Sequence, residues 1–311
     1  MKYRECAQLL TQQDQILILT HRDPDGDAAG SAAALCSALR RMGKTAWLFP
    51  NPGFTRKVLP YIQGYLAPAD FVPACTVSVD VAAERMFPPG FEGEIYLCID
   101  HHGTNSHFGL HELVQGEKSS CGEIILELIK TLCGNVTEEE ATLLYIAITT
   151  DTGCFQYSNT SCQTLSSASE LLRLGAKQHE VSQTFFRKVS LARIQLEGMI
   201  YSGMRFYRDG KIVVATVTQE MIRRSGAGKD DYDDLASLAG RVEGSEVNIT
   251  IREQEDGSSR VSVRSNPGIS SSDICAAFGG GGHEMAAGCN IPCPPEKARS
   301  MLLDVISELY P

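Results

Sequence analysis

Along residues 1–187 short apolar runs alternate with longer amphipathic ones, the pattern of an α/β domain built on a largely parallel sheet with flanking helices. Ile16 to Thr20, Ala46 to Phe49, Thr76 to Asp80 and Ile95 to Asp100 are predicted as strands. Ala28 to Met42 is predicted as a helix ended by Gly43, and Ser120-x-x-Glu123 and Thr137-x-x-Glu140 read as capping boxes that open two further helices. From residue 203 the texture changes to two β-hairpins, with turns at Asp209-Gly210 and Asp256-Gly257, as in a smaller α+β domain. Between them, residues 188–202 are expected to form a connecting helix, because Leu191, Ile194, Met199 and Ile200 recur at roughly helical spacing. The expected organisation is therefore 1–187, a connecting helix at 188–202, and 203–311.

Composition narrows the functional classes. The 311 residues carry 38 acidic and 28 basic side chains, a formal net charge of −10, so no broad cationic surface is expected for long DNA or RNA. A phosphate-bearing ligand should be small and held locally. Eleven cysteines are scattered with no C-x-x-C pair, which fits reduced packing thiols; Cys289 and Cys293 lack the two further ligands that a metal pair needs. No apolar stretch approaches the roughly 20 residues of a membrane span, and the first fifteen residues lack the apolar region of a signal peptide. A cytoplasmic protein with no membrane partner is expected.

The chemistry gathers at strand ends. HRDPDGDA follows the first predicted strand and sets His21, Asp25 and Asp27, with Asp23, in one turn shaped by Pro24 and Gly26. An Asp-rich turn capping a helix is the plain alternative for this segment alone. Three more signals shift the weighing: Asp80 ends TVSVD, Asp100 ends IYLCID ahead of His101 and His102, and Asp151 ends LLYIAITT. If these apolar segments pack side by side, the acids and imidazoles converge at one rim, where carboxylates repel unless a cation relieves them. Six or seven such groups exceed the needs of one ion, so two are implied, and mixed carboxylate and imidazole ligands suit Mn²⁺ over Mg²⁺, with Co²⁺ as another candidate.

HRDPDGDA, VSVD, DHHGTN and TTDTG, in this order and spacing, resemble the four motifs of the DHH phosphoesterases. The resemblance implies one ion on His21, Asp25 and Asp80 and a second on Asp27, Asp80, His101 and Asp151, with Asp80 as the bridge. It implies that Asp100 orients the histidine pair and that Asn105 completes the DHHxxN form. A hydroxide bridging the ions would then attack phosphorus, and His102 is left free to donate to a phosphate or leaving-group oxygen. The other histidines, His107, His111 and His179, show no partner pattern.

FGGGGHEMAAG, with Arg264, Ser265 and Asn266 upstream, is the second signal. Consecutive glycines can bring backbone N–H groups to phosphate, and Arg264 and His283 could add charge-assisted contacts; a flexible loop is the plain alternative. The phrase resembles the DHHA1 domain, which implies substrate binding by Arg264, Gly280, Gly281, Gly282 and His283 and a cleft between two lobes. Within the family, the absence of nucleic-acid-binding additions and membrane segments points to the stand-alone oligoribonuclease (nanoRNase) and pAp phosphatase type, acting on short oligonucleotides or adenosine 3',5'-bisphosphate. A cyclic-di-AMP phosphodiesterase and a hydrolysis-deficient nucleotide-binding regulator are the alternatives, and a homodimer would fit the same resemblance.

Overall fold

A computed structural model describes residues 1–232, 235, 236 and 238–310. The chain divides into two compact units, 1–188 and 189–311. The first unit is built in the order α1 (Tyr3–Gln12), β1 (Ile16–Leu19), α2 (Gly26–Arg41), β2 (Ala46–Leu48), α3 (Leu59–Ile62), β3 (Cys75–Val79), β4 (Leu97–Asp100), β5 (His111–Val114), α4 (Cys121–Cys133), α5 (Glu138–Asp151), α6 (Cys162–Arg173) and α7 (Gln178–Ser182). Its five strands run parallel in the order β2-β1-β3-β4-β5.

The sequence ILIL of β1 is buried throughout, as a central parallel strand covered on both faces requires. Ile16 and Ile18 join the main core with α2, α4 and α5, whereas Leu19 and Cys98 face a smaller cluster against Phe49, Phe87, Phe91 and Phe108. Two glycines bring α2 and α5 close together. A Cβ on Gly30 would lie 2.4 Å from the Leu143 carbonyl oxygen, and one on Gly26 would lie 2.5 Å from the Thr150 side chain. Gly122 does the same for α4, where a Cβ would fall 2.7 Å from that of Ala147.

The second unit contains α8 (Leu191–Gly203), β6 (Arg205–Tyr207), β7 (Ile212–Val217), α9 (Gln219–Ser225), α10 (Lys229–Tyr232), β8 (Val247–Glu253), β9 (Ser259–Ser265), α11 (Ser271–Ala276), β10 (Gly281–His283), β11 (Ala286–Ile291) and α12 (Pro295–Leu309). Its sheet runs β10-β11-β9-β8-β7-β6, antiparallel except for the β7-β8 pair. Both expected hairpins form, with Asp209, Gly210 and Gly257 at positive φ in their turns. Val214, Ile249, Ile251, Val261 and Val263 make its larger core with Ala298, Leu302 and Ile306 of α12. Among the described residues no helix is long and apolar enough to cross a membrane, and the eleven cysteines are free.

Three local expectations are corrected. Thr137 and Glu140 form the expected capping box of α5, but Ser120 makes no side-chain cap on α4, because Glu123 is drawn into the interior by other partners. The helix α8 starts at Leu191, and its buried stripe is Leu196 and Ile200; Leu191 and Ile194 are exposed. The helix α2 starts two residues earlier than the apolar periodicity suggests, so Asp25 becomes its N-cap and Asp27 falls in its first turn.

Candidate metal centre

Parallel strands end on one rim, and this chain places an acid or a histidine at three of those ends. His21 follows β1, Asp80 follows β3, and Asp100 closes β4 ahead of His101 and His102. Asp80 adopts φ 61°, a left-handed turn off the strand that is costly for a side-chain-bearing residue and is found where surrounding structure enforces it. Asp25 and Asp27 arrive on the first turn of α2, and Asp151 is the last residue of α5. The glycine contacts that join α2, α4 and α5 thus set two helix starts and one helix end beside the strand rim.

The ligand-type atoms of these residues gather in overlapping groups, each spanning at most 4.8 Å: His21, Asp25 and Asp80; Asp27, His101 and Asp151; and Asp80, His101 and His102. The His101 Nε2 lies 3.7 Å from Asp27 Oδ2, 3.5 Å from Asp80 Oδ1 and 3.6 Å from Asp151 Oδ2. The His21 Nε2 is 3.7 Å from the other Asp80 oxygen. These separations are long for hydrogen bonds but suit donors around a common ion, where bonds of about 2.1 Å leave ligand atoms roughly 3–3.5 Å apart.

His101 and Asp27 are each aimed by partners on the far side. The His101 Nδ1 lies 3.2 Å from the Lys118 carbonyl oxygen, which as acceptor leaves Nε2 free for the cluster. Asp27 is fully buried, and its carboxylate accepts from the Cys121 and Gly122 amides at 2.7 and 2.9 Å and from the Ser31 hydroxyl at 3.0 Å. Those amides open α4, so the Asp27 charge sits at a helix N-terminus. Asp100 stands outside the ligand groups, with its oxygens taking the His101 amide at 2.9 Å, the His102 Nδ1 at 2.8 Å and the Asn105 amide nitrogen at 2.6 Å.

The charge balance calls for a cation. Burial, with Asp80 and Asp151 alongside, pushes Asp27 well above the usual carboxylate range, and burial pushes Asp151 up to about 7. Burial would raise Asp80 too, but the close approach and charge of His101, with His102 and His21, outweigh it and hold its pKa down. For His101, burial is outweighed by the nearby carboxylates of Asp80, Asp27 and Asp151, which raise it to about 10. The hydrogen bond to Asp100 raises His102. Such a cluster keeps extra protons to offset its own carboxylates, the role a divalent ion would fill. The buried Asp80 Oδ1 has no hydrogen-bond partner, an expensive state for a carboxylate oxygen and the expected one for an ion ligand. The residues present therefore fit a divalent metal centre.

The profile of the DHH family, N-terminal domain, matches residues 15–148, and that of the DHHA1 domain matches residues 209–310. A protein of Thermus thermophilus named a bifunctional oligoribonuclease and PAP phosphatase is 37% identical over 295 residues, covering 93% of this chain and 88% of that protein. The chain belongs to the DHH family of phosphoesterases. A Listeria monocytogenes cyclic-di-AMP phosphodiesterase is 26% identical across 89% of this chain, which spans 44% of that longer protein. In fold, the DHH chain matches the crystal structure of an exopolyphosphatase-related protein from Bacteroides fragilis with a TM-score of 0.88, at 23% identity over 98% of this chain and 95% of that one.

In the DHHA1 part the glycine run forms edge strand β10. His283 pairs with Ala286 of β11, which pairs with Arg264 of β9, so His283 and Arg264 stand in one cross-strand row, both exposed. The glycines differ in their surroundings. A Cβ on Gly280 would meet the Gly288 carbonyl oxygen at 2.3 Å and one on Gly282 the Ala286 carbonyl oxygen at 2.5 Å, whereas Gly281 has open space. Close packing on β11 thus accounts for two of the three glycines.

Several residues around the DHH site were not signalled by its motifs. Ser31 lies one helical turn from Asp27, a spacing that could have revealed it. Cys121 shares a group with Asp27 and Asp80, but burial and those carboxylates push its thiol well above the usual range, and its Sγ lies 3.7 Å from the Ile99 carbonyl oxygen. His107 pairs with Glu112 at 2.6 Å, and the His111 ring stacks edge-on against Tyr96, both away from the centre.

Proposed function

We propose that the chain is a two-metal hydrolase of short oligoribonucleotides and adenosine 3',5'-bisphosphate, releasing mononucleotides in the cytoplasm. The convergence of imidazoles and carboxylates on the unpartnered Asp80 Oδ1 carries this reading. His21, Asp25 and Asp80 would hold one ion and Asp27, Asp80, His101 and Asp151 the other, with Mn²⁺ favoured because imidazole ligands suit it better than Mg²⁺. Divalent ions supply the positive charge and Lewis acidity that an anionic phosphoester needs before water can attack it.

The protein's own groups do the rest. Asp100 fixes the His102 ring through Nδ1 and raises its pKa, which favours the protonated form that could give a proton to a leaving-group oxygen. Asn105 holds Asp100 from the other side at 2.6 Å, keeping the donor aligned. In the DHHA1 unit, Arg264 and His283 would bind substrate phosphate, with the backbone at Gly280, Gly281 and Gly282 alongside. A net charge of −10 supports a substrate of a few nucleotides over a long strand.

The Listeria relative supports a second reading, cleavage of a cyclic dinucleotide. A panel of pAp, pApA, cyclic-di-AMP, pyrophosphate, a five-nucleotide RNA and long single-stranded DNA, each with Mn²⁺, separates the readings. Turnover of pAp, pApA and the short RNA should exceed that of the long DNA by at least about a hundredfold, the scale of several lost phosphate contacts. Equal rates on short and long substrates would overturn the proposal, and cyclic-di-AMP as the preferred substrate would favour the second reading. No hydrolysis of any of them would leave a nucleotide-binding regulator.

A further inference from the structure

Glu123 occupies the place of a capping residue but is 2% exposed. Its Oε1 accepts from the Ser119 hydroxyl at 2.6 Å and the Thr164 hydroxyl at 2.7 Å. The Lys118 Nζ lies 3.7 Å from Oε2, which has no hydrogen bond. Burying a carboxylate here costs far more than leaving it on the first turn of α4, so the fold must gain something from residues 118–120 being held.

Three threads leave that short segment. The Lys118 carbonyl faces His101 Nδ1 at 3.2 Å. The Ser119 carbonyl accepts from Asn159 at 3.2 Å, and the same Asn159 amide nitrogen donates to the Asp151 carbonyl at 3.1 Å. Directly after the segment, the Cys121 and Gly122 amides donate to Asp27. The threads end on His101, Asp151 and Asp27, whose ligand atoms form one group. The group of His21, Asp25 and Asp80 is supported elsewhere: Asn51 donates to the His21 carbonyl at 2.8 Å, and the Asp25 carboxylate accepts from the Ala28 amide at 3.0 Å.

We propose that Glu123 is a positioning residue for one ion only, the ion held by Asp27, His101 and Asp151, through its grip on residues 118–120. The inference rests on the two-ion reading. It makes the two ion affinities separately adjustable, because these hydrogen bonds of the two groups share no residue.

The test is calorimetric titration of Mn²⁺ alone into the full-length protein stripped of metal. Asp151→Asn and His21→Ala serve as references that identify which binding event belongs to which group. In Glu123→Gln the event of the Asp151 group should weaken about 10–100-fold, the range for loss of a group that orients a ligand. The other event should stay within about twofold. Ser119→Ala, which removes one of the two bonds to Glu123 and no charge, should weaken the same event about tenfold and provides the readout if Glu123→Gln does not fold. Unchanged events in both variants, or equal weakening of the two events as expected of a general fold support, overturn the inference. Wild-type protein that takes up fewer than two ions would instead sink the two-ion reading beneath it.

Discussion

In the DHH unit the charged groups of the candidate site gather around the buried Asp27 and Asp80, whereas in the DHHA1 unit Arg264 and His283 stand exposed in one cross-strand row. The first arrangement is over-determined: Asp27 alone takes three hydrogen bonds, from Ser31, Cys121 and Gly122. In the second, Arg264 donates to the neighbouring Val263 carbonyl at 3.1 Å and both side chains face solvent. The difference follows from the ligands each would serve. A small divalent ion needs several donors fixed to within a few tenths of an ångström, while a nucleotide phosphate can be met by long cationic side chains that adjust to it.

That contrast breaks most readily at Asp80. Asp80→Asn should lower turnover of pApA with Mn²⁺ by about 10³-fold or more, the scale of losing a principal source of transition-state charge stabilisation, and should weaken both Mn²⁺ binding events. Retained turnover would overturn the proposed bridging role of Asp80. Arg264→Ala or His283→Ala should act on a different quantity. Each should raise KM for pApA about tenfold or more, as expected when a charge-assisted contact to phosphate is lost, with Mn²⁺ affinity unchanged by calorimetry. An unchanged KM in both variants would leave Arg264 and His283 without a substrate role and confine recognition to the DHH unit.

How far the sequence foretells these regions depends on whether a feature is local. The rim was legible because parallel strands end together, so an acid placed at the end of TVSVD or IYLCID has its neighbours decided by topology. Asp151 joins them from a helix, and its approach depends on Gly26, Gly30 and Gly122, whose packing role emerges only when three helices are assembled. Glu123 misled for the same reason. The Ser-x-x-Glu spacing is a local pattern, but one partner of its carboxylate is Thr164, 41 residues away. On α8, two apolar stripes lie side by side in the sequence, and the core formed by Val213, Ala215 and Val217 of β7 with Leu235 and Leu238 selects Leu196 and Ile200 over Leu191 and Ile194.

The burial that distinguishes the DHH site also makes it sensitive to pH when no metal is bound. Asp27 and Asp151 have folded-state pKa values raised above those of the unfolded chain, Asp151 to about 7, so the folded state binds protons more tightly. Stability from these groups is therefore greatest at low pH and is lost as pH rises from about 4 through about 7. His101 cannot mask this trend near neutrality. Its folded pKa of about 10 means that its contribution is complete below about 6.5 and declines only as pH rises towards 10. The metal-free protein should thus lose a few degrees of Tm between about pH 5.5 and 7.5, and Mn²⁺ should restore more at the upper pH than at the lower. Asp151→Asn isolates the effect, since it removes one titrating carboxylate and should flatten the metal-free curve over that window. A wild-type Tm that rises or stays level across it, with the variant running parallel, would mean that the cluster is not holding protons in place of an ion, and the contrast between a carboxylate-rich centre and an exposed cationic row would lose its electrostatic basis.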